Sequence, residues 1–368
     1  MQNYLQDKKV LVTGCCGTVG SELVRQLLQE YRVEELIGLD NNESELFFIE
    51  QRYLDFPTHF ALADVRDRFK LAQQMQGVDI VFHAAAFKHV VLCERSPFEA
   101  VQTNILGIQN VIGAARDNHV KRIIFTSSDK AVNPTNVMGT SKLMGERLMT
   151  AANSNLRDNV SIFASTRFGN VMGSRGSVIP IFSEQIRKGG PVTLTDPEMT
   201  RFIMSIKEAV QLVIDSAYLA KGGEVFVTKM PVIRIQDLAE VMIEELATQY
   251  GHRPEDIEIT SIGTKPGEKL YEELMTQEET RRTRELPRYF AVYPAFASLY
   301  HQVDYTYPDM FNTTLRKPYH SANEIPMRKE ELRDFLYANQ LLEGESVESY
   351  KPDQRYWGDE KKRVGSKE

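Results

Sequence analysis

The sequence predicts a doubly wound α/β fold: a parallel sheet with helices on both faces, carrying a smaller mixed α/β lobe. Three observations predict it. Apolar runs of strand length alternate with helical patterns through residue 165. A glycine-rich turn joins the first strand to the first helix. After Gly169 the pattern changes to shorter, mixed elements.

The elements follow in order. KKVLVTG (8–14) reads as a buried strand and Val19 to Tyr31 as a helix. ELIGLD (35–40) is a second strand, with a helix over 43–54. HFALADV (59–65), DIVFHAAA (79–86), RIIFTSS (122–128) and VSIFASTRF (160–168) are further strands with helical stretches between them. Near-continuous apolar runs are what a parallel sheet covered on both faces requires. Beyond Gly169 a helix over 177–188 stops at Lys188-Gly189-Gly190-Pro191. The strand VTLTD, a helix over 205–220, the strand EVFVTK, a helix over 235–249 and the strand IEITSIG follow. The expected division is a first domain over 1–170, to which about 205–235 returns, a smaller lobe over 171–290, and a C-terminal extension over 291–368 whose polar end is frayed.

Composition excludes several classes. The 368 residues carry 44 Lys and Arg against 51 Asp and Glu, a net charge of −7. That balance argues against a nucleic-acid or anionic-membrane binder. No apolar run approaches the ~18–20 residues of a membrane span, and MQNYLQDKK has no apolar core of a signal peptide. Cys15, Cys16 and Cys93 form no disulfide framework, and the seven histidines are unclustered. No dedicated metal site is expected, and the setting is a reducing, cytoplasmic one.

Gly14, Gly17 and Gly20 give G-x-x-G-x-x-G between a strand and a helix. Glycine is needed where the turn is tight and the backbone must approach a pyrophosphate, and the helix opening at Thr18 and Val19 offers free N–H groups to it. Asp40 ends the second strand, where a carboxylate hydrogen-bonds a ribose diol and repels a 2′-phosphate, which favours NAD over NADP. Asp64 and Val65 end the third strand, placed to touch an adenine ring; the competing role for Asp64 is N-cap of a helix over 67–76. Ala84 and Ala85 would let a cofactor lie against the backbone, or simply pack tightly. Together these features define a Rossmann-type dinucleotide-binding unit.

Ser128, Asp129 and Lys130 end the fifth strand, at the sheet edge where ligands bind in such folds. Met138 and Lys142 are four apart and share a helix face. The usual short-chain dehydrogenase arrangement is Tyr-x-x-x-Lys, and methionine cannot move a proton. Taken alone, Asp129-Lys130 would be a surface ion pair and Met138 a core methionine.

The block SSDKAVNPTNVMGTSKLMGE resembles the nucleotide-sugar 4,6-dehydratases of the extended short-chain dehydrogenase/reductase superfamily. It is most similar to the configuration-retaining branch acting on UDP-N-acetylglucosamine, in which methionine replaces the tyrosine. HAAAFKHVVLCE, TRFGNVMGSRGSVIPIF, MTRFIMSI and KPGEKLYEELM extend the resemblance over about residues 8–276, and PYHSANEIPM more weakly beyond. The resemblance implies tightly bound NAD that is recycled each turnover. Hydride leaves C4 of the sugar, Lys130 takes the C5 proton, Asp129 protonates the departing C6 oxygen, and hydride returns to C6. Adjacent acid and base are what an elimination across neighbouring carbons needs. It further implies that Ser128 bonds the 4-oxygen and that Lys142 holds the nicotinamide ribose. Acceptance of the 4-hydroxyl proton is left to a water chain toward Lys142 or Asp129. Lys88 is expected at the sugar or diphosphate. Asn170, Arg175 and Arg201 are expected at phosphates, and Glu268 near the nucleoside, although a lone arginine reads equally as a surface salt bridge.

Membrane-bound members of that family carry spanning helices before this domain, so a soluble short form is expected, without a membrane partner and as a homodimer or higher homo-oligomer. Four rivals stay open: GDP-N-acetylglucosamine as substrate, a C5-inverting dehydratase, a 4-epimerase, and a non-catalytic NAD-binding regulator.

Overall fold

The computed structural model describes residues 2–153, 161–174, 177–263, 267–296, 303–311 and 315–342. The polar C-terminal tail and Arg175 lie outside the described residues.

The strands are β1 (Lys9–Thr13), β2 (Glu35–Asp40), β3 (Thr58–Leu62), β4 (Ile80–His83), β5 (Arg122–Thr126), β6 (Ile162–Arg167), β7 (Asn170–Val171), β8 (Val192–Leu194), β9 (Thr200–Met204), β10 (Val225–Thr228), β11 (Val232–Arg234), β12 (Ile259–Ser261), β13 (Glu273–Met275), β14 (Thr283–Glu285), β15 (Tyr289–Val292) and β16 (Tyr319–His320). Nine of them form one sheet in the order β14-β15-β10-β6-β5-β4-β1-β2-β3. From β3 to β10 every pairing is parallel. Strand order reverses direction at β1, whose neighbours are β2 and β4, and this switch point opens a crevice at the carboxyl ends of the strands.

Burial explains the strand choice. Val10, Leu11, Val12, Phe82, Ile123, Ile124 and Phe163 are almost wholly inaccessible. They feed two cores, one on each face of the sheet. A third core, around Phe182, Ile186, Ile203, Leu238 and Leu332, holds the smaller lobe. That lobe carries the sheet β11-β9-β7 and the pairs β8–β12 and β13–β16.

Two features differ from the sequence reading. Residues 283–292, which span the end of the expected smaller lobe and the start of the expected C-terminal extension, form the antiparallel edge of the large sheet through β14 and β15. The helix after β3 starts at Arg68, and its N-cap is Asp67, whose side chain accepts from the Lys70 amide at 3.0 Å. Asp64 instead accepts from the Arg66 amide at 2.9 Å.

One helix carries much of the site. Val137–Ala152 begins at Asn136, whose side chain accepts from the Gly139 amide at 2.8 Å. A Cβ on Gly139 would lie 2.2 Å from the Lys130 carbonyl oxygen. Only glycine lets this helix press onto the turn at 129–131, and that contact brings Met138 and Lys142 beside Asp129 and Lys130.

Candidate active site

A cavity of about 700 Å³ opens at the carboxyl ends of β1, β4, β5 and β6. Its walls include Gly14, Gly17, Thr18, Val19 and Gly20 on one side. Ala84 and Lys88 follow β4, and Ser128, Asp129, Lys130, Met138, Lys142 and Asn170 are the other predicted residues on its walls.

The glycine turn fits a dinucleotide. Gly14 has φ of +70°, and a Cβ there would lie 2.7 Å from the Ala85 Cα. A Cβ on Gly20 would lie 1.9 Å from the Gly14 carbonyl oxygen. No side chain caps the helix Thr18–Gln26, so its first amides face the cavity side free for a phosphate. Asp40 stands beside this turn, its carboxylate accepting from the Cys16 amide at 2.9 Å and the Asn42 amide at 3.0 Å. Ala85 packs under Gly14 without lining the cavity. Asp64 and Val65 also stand back from it, and Val65 is packed against Gly107.

The structure gathers Cys15, Cys16 and Asp40 with ligand atoms within 4.8 Å of one another. The carboxylate already holds the Cys16 amide, and the Cys15 thiol, hydrogen-bonded to Cys16 and buried, is pushed far up and stays protonated. This donor set suits a ribose carboxylate flanked by packing thiols better than it suits a metal centre.

The catalytic candidates sit together. Ser128 Oγ donates to Asp129 Oδ1 at 2.5 Å, and Lys130 Nζ lies 3.2 and 3.1 Å from the two Asp129 oxygens. Asp129 is 4% exposed. Burial works against its charge, but Lys130 and hydrogen bonds from Glu272 and Ser128 outweigh that and lower its pKa. Burial likewise opposes the Lys130 charge, and the carboxylates of Asp129 and Glu272 reverse the effect and raise it. The resting state is therefore an ion pair. Lys142 Nζ donates to the Thr126 carbonyl at 2.8 Å and lies 4.8 Å from the Phe125 ring centre. Burial pulls its pKa down to about 8, with Glu146 holding part of the charge. Met138 is 3% exposed and packs with Cys93 and Ala100 while its edge lines the cavity, so it is both a core residue and a wall of the site.

Three features of the site were not foreseen. Glu272, 6% exposed, lies with Oε1 3.8 Å from Lys130 Nζ. The predicted residue of that segment, Glu268, is exposed and does not line the cavity. Asn104, buried in a π-helical turn over Val101–Leu106, accepts from the Phe87 amide at 2.8 Å and donates to the Phe87 carbonyl and to Ser141 Oγ. It ties the loop after β4 to the helix that carries Lys142. Ser127 lines the cavity with a buried hydroxyl that has no hydrogen-bond partner among the described residues.

Arg201 is placed differently from its expected phosphate role. Its guanidinium donates to the Thr200 and Lys269 carbonyls and lies 3.4 Å from Glu272, off the cavity wall. Asn170 does line the cavity, with its amide nitrogen 2.8 Å from each Glu272 oxygen. Lys88 is exposed at the rim.

Sheet order, glycine turn and the lysine-bearing helix define an extended short-chain dehydrogenase/reductase fold. The chain belongs to the polysaccharide biosynthesis protein family, whose model matches residues 10–294. A Methanocaldococcus jannaschii protein described as an uncharacterized membrane protein is 53% identical over 294 residues, 80% of this chain and 88% of that one. A Campylobacter jejuni UDP-N-acetylglucosamine 4,6-dehydratase (inverting) is 37% identical over 289 residues, 78% of this chain and 83% of that one. The X-ray structure of Pen from Bacillus thuringiensis shares 42% identity and superposes with a TM-score of 0.84, covering 92% of this chain and 99% of that one. Further relatives, from Rickettsia, are named UDP-glucose 4-epimerase. Among the described residues no helix is long and apolar enough to cross a membrane.

Proposed function

We propose that the protein is an NAD-dependent nucleotide-sugar 4,6-dehydratase that converts UDP-N-acetylglucosamine to the 4-keto-6-deoxy sugar with retention at C5. The observation that carries this reading is the pair of buried Asp129 and half-buried Lys130, 3.1 Å apart, on the wall of a cavity that also holds the glycine turn.

The glycine turn and Asp40 would hold the two ends of the adenosine diphosphate, and Lys142 the nicotinamide ribose. Bound there, NAD supplies reversible hydride transfer. The remaining work falls to side chains. Lys142, with its pKa near 8, stabilises a developing C4 alkoxide by its charge. A 4-ketone acidifies C5, Lys130 takes the C5 proton, and Asp129 protonates the oxygen leaving C6. The acid and base the elimination needs are the same ion pair with one proton shifted from Lys130 to Asp129.

Retention has its own rationale. A base that stays on one face of C5 returns a proton to the face it took one from, even when its ammonium protons exchange with solvent in between. Met138 has no proton to supply, so Lys130 both removes and returns the C5 proton. The inverting Campylobacter relative is the second reading, and it requires a donor on the opposite face. The epimerase reading, favoured by the Rickettsia names, leaves Asp129 and Lys130 without a task and places methionine where the epimerase reaction uses a tyrosine.

Two measurements test the proposal. Proton NMR of the protein with UDP-N-acetylglucosamine in deuterated water, and with GDP-N-acetylglucosamine in parallel, should show a C6 methyl signal and deuterium at C5 for the UDP sugar. The coupling across C4–C5 of the hydrated product distinguishes retention from inversion, and a C4 epimer without a methyl signal would replace the dehydratase with an epimerase. Separately, Lys142→Ala should weaken NAD binding and slow C4 oxidation by about 100-fold or more. Full rate and full NAD affinity in that variant would remove Lys142 from the proton route.

A further inference from the structure

Glu272 is a buried carboxylate for which the chemistry above has no task. It enters from the segment leading into β13, and four contacts fix it. Asn170 Nδ2 lies 2.8 Å from each of its oxygens, the Phe202 amide donates to Oε2 at 3.3 Å, and Arg201 Nε and Lys130 Nζ lie 3.4 and 3.8 Å from Oε1. Its own backbone amide is anchored by Ser321 Oγ at 2.9 Å. A hydrogen bond also joins its side chain to Asp129. Elements from three parts of the chain thus converge on one carboxylate facing the acid–base pair.

We propose that Glu272 is a positioning residue that governs where the single proton of the Asp129–Lys130 pair resides. This rests on the dehydratase reading. A hydrogen bond between two carboxyl groups needs a proton on one of them, since two carboxylates have no donor. When Glu272 carries it, Glu272 donates to Asp129 and holds Asp129 as an anion, the wrong state for protonating a leaving oxygen. When Glu272 is ionised, that donor is gone and like-charge repulsion favours a protonated Asp129. Ionised Glu272 also attracts the Lys130 charge from 3.8 Å, but its direct contact with Asp129 is the stronger of the two, so the balance favours passing the Lys130 proton to Asp129 across 3.1 Å and leaving Lys130 as the neutral base. In the elimination the C5 proton passes to Lys130, the C5–H electrons form the C5–C6 double bond, and the C6–O bond breaks with the Asp129 proton leaving in water. Atoms and charge balance without a further reactant.

The charged groups around Glu272 set the range in which this operates. Asp129 and Lys130 face it from the turn after β5, and Arg201 from β9. On its own segment Glu273 is paired with Lys269 at 2.9 Å. Burial, then the Asp129 charge, raise the Glu272 pKa to about 7 against the pull of Lys130 and Arg201. The active, ionised form therefore gains population as pH rises through about 7.

The test compares wild type with Glu272→Gln and Glu272→Asp, using UDP-N-acetylglucosamine. Wild-type kcat should rise with pH through about 7. The glutamine amide is a permanent donor, so Glu272→Gln should show kcat about 100-fold lower and no such rise. Its KM should stay within about threefold and its transient reduced-nicotinamide absorbance should persist, since only elimination is affected. Glu272→Asp should recover a pH-dependent rise. A glutamine variant with wild-type kcat and the same acid limb overturns the inference. So does one in which C4 oxidation and elimination fall together, or an aspartate variant without any pH rise. Absence of wild-type turnover overturns the dehydratase reading itself, whereas wild-type turnover with an unaltered glutamine profile overturns this inference alone.

Discussion

Asp129→Asn and Lys130→Met are each expected to lower dehydration by about 10²–10⁴-fold, the usual contribution of a positioned acid or base. The more informative result is which half-reaction survives. C4 oxidation draws on Lys142 and the glycine turn, which these substitutions leave in place. Substrate added to either variant should therefore build up reduced-nicotinamide absorbance that decays slowly, in place of a brief transient. The two should differ in C5 exchange: Asp129→Asn retains the base and should wash deuterium into C5 of recovered sugar, while Lys130→Met should not. Equal loss of oxidation and elimination in both would make the pair a structural ion pair and remove it from the chemistry. Stability separates the variants too. Lys130→Met strands the buried Asp129 charge, and because the Lys130 side chain is 35% exposed the cost falls below the ~3–5 kcal/mol of breaking a fully buried pair from one side. The double replacement Asp129→Asn with Lys130→Met should melt above Lys130→Met alone.

What was legible in the sequence was what is local. The turn Gly14–Gly20, Asp40 at a strand end and the Ser128–Lys130 run are each set by a strand and its immediate successor, so spacing alone places them. Met138 and Lys142 follow from one helical period. Glu272 and Asn104 were missed for the complementary reason. Glu272 reaches Asn170 across 102 positions, and Asn104 reaches Ser141 across 37, with no periodicity to announce either contact. The PGEK turn drew attention to Glu268, while the residue that enters the site is four positions later. Arg201 was read as a phosphate ligand because its charge is visible in sequence, whereas the carbonyls of Thr200 and Lys269 that occupy it are not. Residues 283–292 show the same limit for strands: no strand is expected there from the sequence, and the pairing of β15 with β10 that places the stretch in the large sheet spans more than 60 positions.

Arg167→Met is expected to destabilise the fold by about 3–5 kcal/mol, because it removes the guanidinium that bridges two buried carboxylates, leaving Glu279 only Arg282 at 3.6 Å. Arg167 is 1% exposed. Its guanidinium meets Glu146 at 2.8 and 2.6 Å, Glu279 at 3.0 and 2.9 Å, and the Leu274 carbonyl at 3.1 Å. The charge of Glu279 is opposed by burial but held by Arg167 and by the Thr276 amide, leaving its pKa at about 2. A depressed carboxylate contributes stability above its unfolded pKa of ~4.3 and loses it as pH falls toward the folded value. Wild type should therefore lose this contribution between about pH 4 and 2, and Arg167→Met should lack that part of the acid transition. Thermal and urea unfolding across that range check both statements. Adding Glu146→Gln and Glu279→Gln to Arg167→Met should recover part of the loss, since the stranded charges are then gone; no recovery would mean that packing, not charge, is what Arg167 supplies. The position of this network makes the effect functional as well. Glu146 lies on the helix that carries Lys142, Arg167 ends the strand that leads to Asn170, and Leu274 is two residues from Glu272. One guanidinium thus fixes the sheet, the lysine helix and the acidic segment in a single geometry. Loosening it should displace Glu272 from the Asp129–Lys130 pair, so that at temperatures where Arg167→Met remains folded, elimination should suffer more than C4 oxidation.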